Sequence, residues 1–137
     1  MARILSIDYG KKRTGLAVTD PLQIIASGLV TVATSELSDY LQGYIAREPV
    51  ERIVIGKPMQ PNGRPSENLQ RVQQFVNLWR KQMPRIPIEY YDERFTSVLA
   101  HQAMIAGGLK KKARQDKALV DEISATIILQ DYLNSRK

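Results

Sequence analysis

The spacing of apolar residues changes once along this chain, near residue 35, and that change most constrains the fold. Residues 4–8, 14–19 and 24–32 have the composition of three short strands, separated by turn sequences at Gly10 and at Asp20-Pro21. Strands joined by short turns pair antiparallel. The sequence therefore predicts that the chain begins with an antiparallel meander.

Beyond residue 35, helices alternate with strands. Apolar residues at three- and four-residue spacing predict helices over residues 35–47, 66–83, 96–106 and 117–133. Two short apolar runs, residues 52–56 and 86–90, lie between them as parallel strands, and Pro87 places the second at a sheet edge because it has no backbone donor. Right-handed crossovers then place helices on both faces. The expected fold is α/β, with a mixed five-stranded sheet of three antiparallel and then two parallel strands.

Size and composition predict a single domain over residues 1–137, with 43% hydrophobic and 25% charged residues. The chain has no cysteine, which excludes disulfides and thiolate metal sites. Its apolar runs are too short for a signal peptide core or a membrane span. We therefore expect a cytoplasmic protein that does not bind membranes, as a monomer or a homodimer.

Basic residues are concentrated in two short segments. The formal net charge is +6, from 20 basic and 14 acidic residues. A positive surface attracts polyanions, although many basic proteins bind none, so the clustering is the stronger signal. The first cluster, in the predicted turn after residue 8, holds Lys11, Lys12 and Arg13. The second, ahead of the last helix, holds Lys110, Lys111, Lys112, Arg114 and Lys117.

Three acidic residues stand out by position. Asp8 ends an apolar strand, Glu93 follows the last predicted strand, and Asp121 shares a helical stripe with apolar residues at 125, 128 and 132. Each has a structural alternative: Asp8 caps a turn or pairs with Lys11 or Arg13, and acids near a helix start complement its dipole. Three such carboxylates would offer only oxygen ligands, which suit Mg²⁺ or Mn²⁺ rather than zinc.

Four motifs in series resemble the YqgF/RuvX family of pre-16S rRNA nucleases. They are Ile7-Asp8-Tyr9-Gly10 with Arg13-Thr14-Gly15, then Ile55-Gly56-Lys57-Pro58, then Asp92-Glu93-Arg94-Phe95-Thr96-Ser97, and finally Lys117 with Val120-Asp121 and Ser124-Ala125. The resemblance runs in order over essentially the whole chain. It implies a ribonuclease H-like fold related to Holliday junction resolvases.

The resemblance also implies function. Asp8, Glu93 and Asp121 would be the catalytic acids that hold Mg²⁺ or Mn²⁺, in a nuclease that matures the 5′ end of precursor 16S ribosomal RNA. Branched DNA is the alternative substrate, and ribosomal particles are expected partners. Phosphate contacts are expected from basic residues of both clusters and from the residue after Glu93: Lys11, Arg13, Arg94, Lys110, Lys111, Lys112, Arg114 and Lys117.

Three alternatives remain open at this point. Glu122, beside Asp121, is a second acid that could assist or replace it. The segment from Ile7 to Gly15 also resembles the first phosphate loop of actin-like ATPases, although a chain of 137 residues lacks their second half. Lastly, the chain could be a non-catalytic RNA-binding assembly factor whose acids are structural. Metal binding and cleavage by acid-to-amide variants would distinguish these possibilities.

Overall fold

The computed structural model describes residues 2–58, 67–92 and 117–136, with side chains from residue 120 onward in the last helix. In these segments five strands form one sheet in the order β3-β2-β1-β4-β5. The elements are, in chain order, β1 (Arg3–Asp8), β2 (Arg13–Thr19), β3 (Ala26–Ala33), a 3₁₀ turn (Thr34–Glu36), α1 (Leu37–Arg47), β4 (Val50–Lys57), α2 (Leu69–Gln82), β5 (Ile88–Asp92) and α3 (Lys117–Ser135).

The pairing of the strands confirms the predicted mixed sheet. β1, β2 and β3 are antiparallel neighbours, whereas β4 pairs parallel with both β1 and β5. β5 lies at an edge, as the donor-less Pro87 predicts. At the end of β1, Asp8 lies opposite Gly15 of β2. Because β1, β4 and β5 run in the same direction, their carboxyl-terminal ends lie next to one another at the same end of the strands.

Alternation along the strands gives the sheet two different faces. On one face Leu5 and Ile7 join a large apolar cluster with residues of α1 and α2, including Leu41 and Trp79. On the other face a smaller cluster is formed by strand residues and α3, and its members are Ile4, Ala17, Val54, Ala125, Ile128, Leu129, Tyr132 and Leu133. Helices therefore cover both faces, as predicted.

Some element boundaries differ from the prediction. β3 begins at Ala26 rather than at residue 24, because the Asp20 carboxylate binds the backbone N–H groups of the preceding loop at Leu22, Ile24 and Ile25. These donors are therefore not available to a strand ladder. The first helix begins at Leu37, after the 3₁₀ turn. The helix predicted over residues 96–106 lies outside the described residues.

Candidate active site

Asp8 lies at the carboxyl end of β1, on the face that α3 covers. Strand alternation puts its side chain on the same face as Ile4 and Ser6, both fully buried. Burial of the carboxyl group, followed by the nearby charge of Asp121, raises the pKa of Asp8 to about 7. The fold thus brings two acids that are distant in the sequence into electrostatic contact.

Asp121 reaches this position because α3 packs tightly on the sheet. The predicted stripe is confirmed, since Ala125, Ile128 and Tyr132 are all buried. The hydroxyl of Ser6, also buried, donates a 2.6 Å hydrogen bond to the carbonyl oxygen of Ala125. This bond fixes α3 against β1 one turn beyond Asp121.

Gly15 permits the close approach of helix and strand. A Cβ atom built on Gly15 would overlap the backbone carbonyl of Asp121. Gly15 also lies opposite Asp8 in the β1–β2 register. A residue without a side chain therefore lies opposite Asp8 and against the backbone of Asp121, and any larger residue at position 15 would push α3 away from the sheet.

Arg13 is the ion-pair partner of Asp121. Its Nε atom donates to Oδ2 of Asp121 over 2.7 Å. The sequence predicted Arg13 as a phosphate contact or as a partner of Asp8, so its pairing with Asp121 adds a role that the prediction lacked. Sequence spacing gave no signal for it, because the two residues come from elements distant in the chain.

The turn that carries Arg13 is held by two threonines. The hydroxyl of Thr34 donates to the carbonyl oxygen of Gly10 over 2.7 Å and lies 2.8 Å from the hydroxyl of Thr14. The Thr34 backbone N–H binds the carbonyl oxygen of Lys12. The backbone on both sides of Arg13 is thus fixed. The first basic cluster therefore occupies a defined position beside Asp121.

A cavity of about 360 Å³ opens beside Asp121. Its lining combines three basic residues with one acid: Gly10, Lys11, Lys12, Arg13 and Asp121. The cations suit an anionic ligand such as a phosphate group, and carboxylate oxygens are the ligands that Mg²⁺ and Mn²⁺ prefer. The donor set is therefore chemically suited to a divalent cation bound next to a phosphate.

Glu122, the neighbour of Asp121, has a different environment. Its carboxylate lies against Gly28 of β3, where an added Cβ atom would come within 2.5 Å of Oε1 of Glu122. Glu122 lines a separate groove of about 420 Å³ between β3 and α3. Asp121, rather than Glu122, is thus the acid whose charge acts on Asp8.

Most other predicted site residues lie outside the described residues: Glu93, Arg94, Lys110, Lys111, Lys112 and Arg114. Lys117 begins α3, but its side chain is among those not described. Within the described segments no three acidic or histidine side chains form a metal-binding group. The roles of these residues stay predictions.

In the described part of the chain, no helix combines the length and the apolar character that crossing a bilayer requires.

Solved structures with the same fold are Holliday junction resolvases. The structure titled "T. thermophilus RuvC in complex with Holliday junction substrate" matches with a TM-score of 0.57 at 16% identity, covering 99% of this chain and 96% of that chain. A fowlpox virus resolvase bound to Holliday junction DNA matches with a TM-score of 0.58 at 14% identity, covering 98% of each chain. The fold is therefore the ribonuclease H-like fold of RuvC-like resolvases.

Sequence comparisons identify the family. The model described as "RuvX: Holliday junction resolvase" matches residues 2–135. A Phocaeicola vulgatus protein named "Putative pre-16S rRNA nuclease" is 66% identical over 137 residues, covering 100% of this chain and 99% of the relative. A Flavobacterium johnsoniae protein of the same name is 56% identical, with the same coverage. The chain belongs to the RuvX family, and the nuclease class that the sequence predicts is confirmed.

Proposed function

We propose that this chain is a divalent-metal-dependent nuclease that cleaves precursor 16S ribosomal RNA near its 5′ end, in the cytoplasm. The observation that carries the proposal is the charge of Asp121 acting on the buried Asp8, next to a cavity that Asp121 lines together with Lys11, Lys12 and Arg13. Relatives over 60% identical along the full chain are named for this RNA substrate. That agreement supports RNA as the substrate.

A bound cation would stabilise the ionised forms of Asp8 and Asp121, which are unfavourable next to each other without one. The burial of Asp8 and the charge of Asp121 both oppose ionisation, as the pKa of about 7 for Asp8 indicates. A Mg²⁺ or Mn²⁺ ion bound by both acids would offset this repulsion, and when bound it would activate water and stabilise the leaving oxygen. We infer that Glu93, which follows Asp92 at the end of β5, supplies the third carboxylate.

The basic residues have a separate task. Lys11 and Arg13 line the cavity and are proposed to hold the phosphates that flank the cleaved bond. Arg94 and the second basic cluster, Lys110, Lys111, Lys112, Arg114 and Lys117, are proposed to bind the RNA backbone further from the site. Each phosphate contact would make binding more sensitive to salt.

Cleavage by amide variants tests the proposal. Purified wild type with Mn²⁺ should cleave a precursor 16S RNA fragment, whereas Asp8→Asn, Glu93→Gln and Asp121→Asn should bind the RNA without cleaving it. Asp39→Asn, a charge-matched change on the exposed side of α1, should cleave normally. If all the variants behave alike, the acids are not catalytic and the chain is an RNA-binding assembly factor.

A second candidate function is resolution of four-way DNA junctions. The description of the matching family model as a Holliday junction resolvase favours it. A synthetic four-way junction assayed beside the RNA under the same conditions decides between them. Faster cleavage of the junction than of the RNA would replace the RNA assignment and leave the proposed acids in place.

A further inference from the structure

We propose that Arg13 exchanges partners during the catalytic cycle: it neutralises Asp121 in the free protein and moves to a substrate phosphate when nucleic acid binds. The exchange would release Asp121 for the metal ion, so that the ion binds strongly only when substrate is present. This proposal rests on the nuclease function proposed above. It adds regulation of the same site.

The contact between Arg13 and Asp121 has the form of an exchangeable pair. It is made through Nε, so the two terminal nitrogens of the guanidinium group are not used in it. The most stable arginine–carboxylate pairs are bidentate and desolvated. Here 38% of the Arg13 side chain and 24% of the Asp121 side chain are exposed. A pair this accessible to solvent contributes about 1 kcal/mol or less, which a phosphate can replace.

The turn lets the side chain move without the backbone. Thr34 binds the carbonyl oxygens of Gly10 and Lys12, and its hydroxyl meets that of Thr14. These contacts hold the backbone on both sides of Arg13, whereas its side chain is the part that reaches the cavity. A rotamer change of Arg13 would therefore suffice for the exchange.

The cavity has room for the phosphate group that would replace Asp121 as the partner of Arg13. Lys11 and Lys12 line it together with Arg13 and Asp121, in a volume of about 360 Å³. A phosphate held by the lysines would lie beside the guanidinium group and compete with Asp121 for it. Phosphate and carboxylate are the two anions whose geometry matches the arginine fork. The substrate class that triggers the exchange is therefore any phosphodiester chain that enters this cavity.

The exchange would change how strongly Asp8 and Asp121 attract a divalent ion. When Asp8 and Asp121 are both ionised, the Arg13 guanidinium offsets one of their two negative charges, which weakens their attraction for a divalent ion. After the exchange Arg13 no longer offsets this charge, and the attraction is stronger. Metal and nucleic acid should therefore bind cooperatively, each raising the affinity for the other by the same factor.

The first test is nucleic-acid binding without metal. Fluorescence anisotropy in EDTA would compare a precursor 16S RNA fragment bound to Asp121→Asn and to Asp8→Asn, each with Arg13 or with Arg13→Gln. Asp121→Asn should tighten binding about fivefold more than Asp8→Asn does, because only Asp121 competes for Arg13. With Arg13→Gln the two acid variants should have equal effects. A fivefold difference that persists without Arg13 would overturn the proposal.

The second test is Mn²⁺ binding without nucleic acid, measured by calorimetry. Arg13→Gln should bind Mn²⁺ about fivefold tighter than wild type, because the internal counterion is gone. Arg47→Gln, which removes the same charge at the end of α1, should bind as wild type. Equal or weaker binding by Arg13→Gln would mean that Arg13 only positions Asp121, and the proposal would be wrong.

The two proposals fail in different ways. If wild type cleaves neither RNA nor DNA, the nuclease function fails, whatever the binding results in EDTA. If Asp8→Asn abolishes cleavage but both binding tests give the contradicting result, the nuclease function stands and the exchange fails. Thermal unfolding of each variant would show that it is folded, which is expected because the Arg13 pair is partly exposed.

Discussion

The two faces of β1 place very different demands on the protein. Leu5 and Ile7 lie on one face, fully buried in an apolar cluster with α1 and α2. On the other face, Ile4, Ser6 and Asp8 become more polar towards the carboxyl end of the strand, where α3 brings in Asp121. The first face stabilises the fold, whereas the second holds a group whose charge the fold itself opposes. The proposed site is thus located where the protein departs from its most stable arrangement.

The largest expected effect is at Asp8, where activity and stability should change in opposite directions. Asp8→Asn should reduce cleavage on the order of a thousandfold, the scale of losing a group that acts on the reacting atoms. At pH 8 without metal, the same variant should be more stable than wild type, because it carries no buried charge. Cleavage rates and urea unfolding would check both. Lower stability at pH 8 would contradict the account.

The pH dependence of the free energy of unfolding should show the cost of ionising Asp8 in the wild-type protein, which keeps its activity. The pKa of Asp8 is about 7 in the folded protein and 3.8 in the unfolded chain, so the folded state binds more protons between these values. The free energy of unfolding of metal-free wild type, relative to Asp8→Asn, should therefore fall as pH rises from about 4 to about 7. The total change is about 4 kcal/mol. A rise in the free energy of unfolding over that pH interval would contradict the prediction.

The apolar face should show the reverse behaviour. Ile7→Ala removes a fully buried side chain and should lower the free energy of unfolding by about 3 kcal/mol. Because its side chain points away from the acids, the cleavage rate of the folded fraction should be unchanged at low temperature. Urea unfolding and cleavage assays would measure the two quantities. If fully folded Ile7→Ala cleaved more slowly than wild type, the two faces of β1 would not be independent.

Gly15 and Gly43 form a matched pair that sharpens the comparison. Gly15→Ala places a Cβ against the backbone of Asp121 and should cost about 2 kcal/mol and much of the activity. Gly43 lies inside α1, where an added Cβ would meet no described atom within 4 Å apart from its chain neighbours and its own helix backbone, so Gly43→Ala should stabilise the protein by about 1 kcal/mol. Thermal unfolding of both would suffice. Equal effects of the two substitutions on stability would show that the close approach of α3 to the sheet does not depend on Gly15.

The sequence predicted the fold well because periodicity reports burial. The order of strands and helices along the chain and the stripe at Asp121 follow from the spacing of apolar residues, and the edge position of β5 follows from Pro87, which has no backbone donor. Boundaries were less accurate where side chains bind the backbone, as Asp20 does before β3. Local sequence carries little information about such contacts.

The site was only partly predictable. Asp8 and Asp121 could be singled out because a strand end and a helix stripe are visible in the sequence, and their catalytic role stays a prediction. The pairing of Arg13 with Asp121 and the contact of Ser6 with α3 depend on how elements pack across the chain. Gly15 appears in the sequence motif, but its reason, the approach of the α3 backbone, is visible only in three dimensions.

A crystal soaked in Mn²⁺ at a concentration high enough to compete with Arg13, and measured at the manganese absorption edge, tests the central claim most directly. The account predicts an anomalous peak bound by carboxylate oxygens of both Asp8 and Asp121, and no such peak in Asp8→Asn. A peak that is held elsewhere, or that is unchanged in Asp8→Asn, would contradict it.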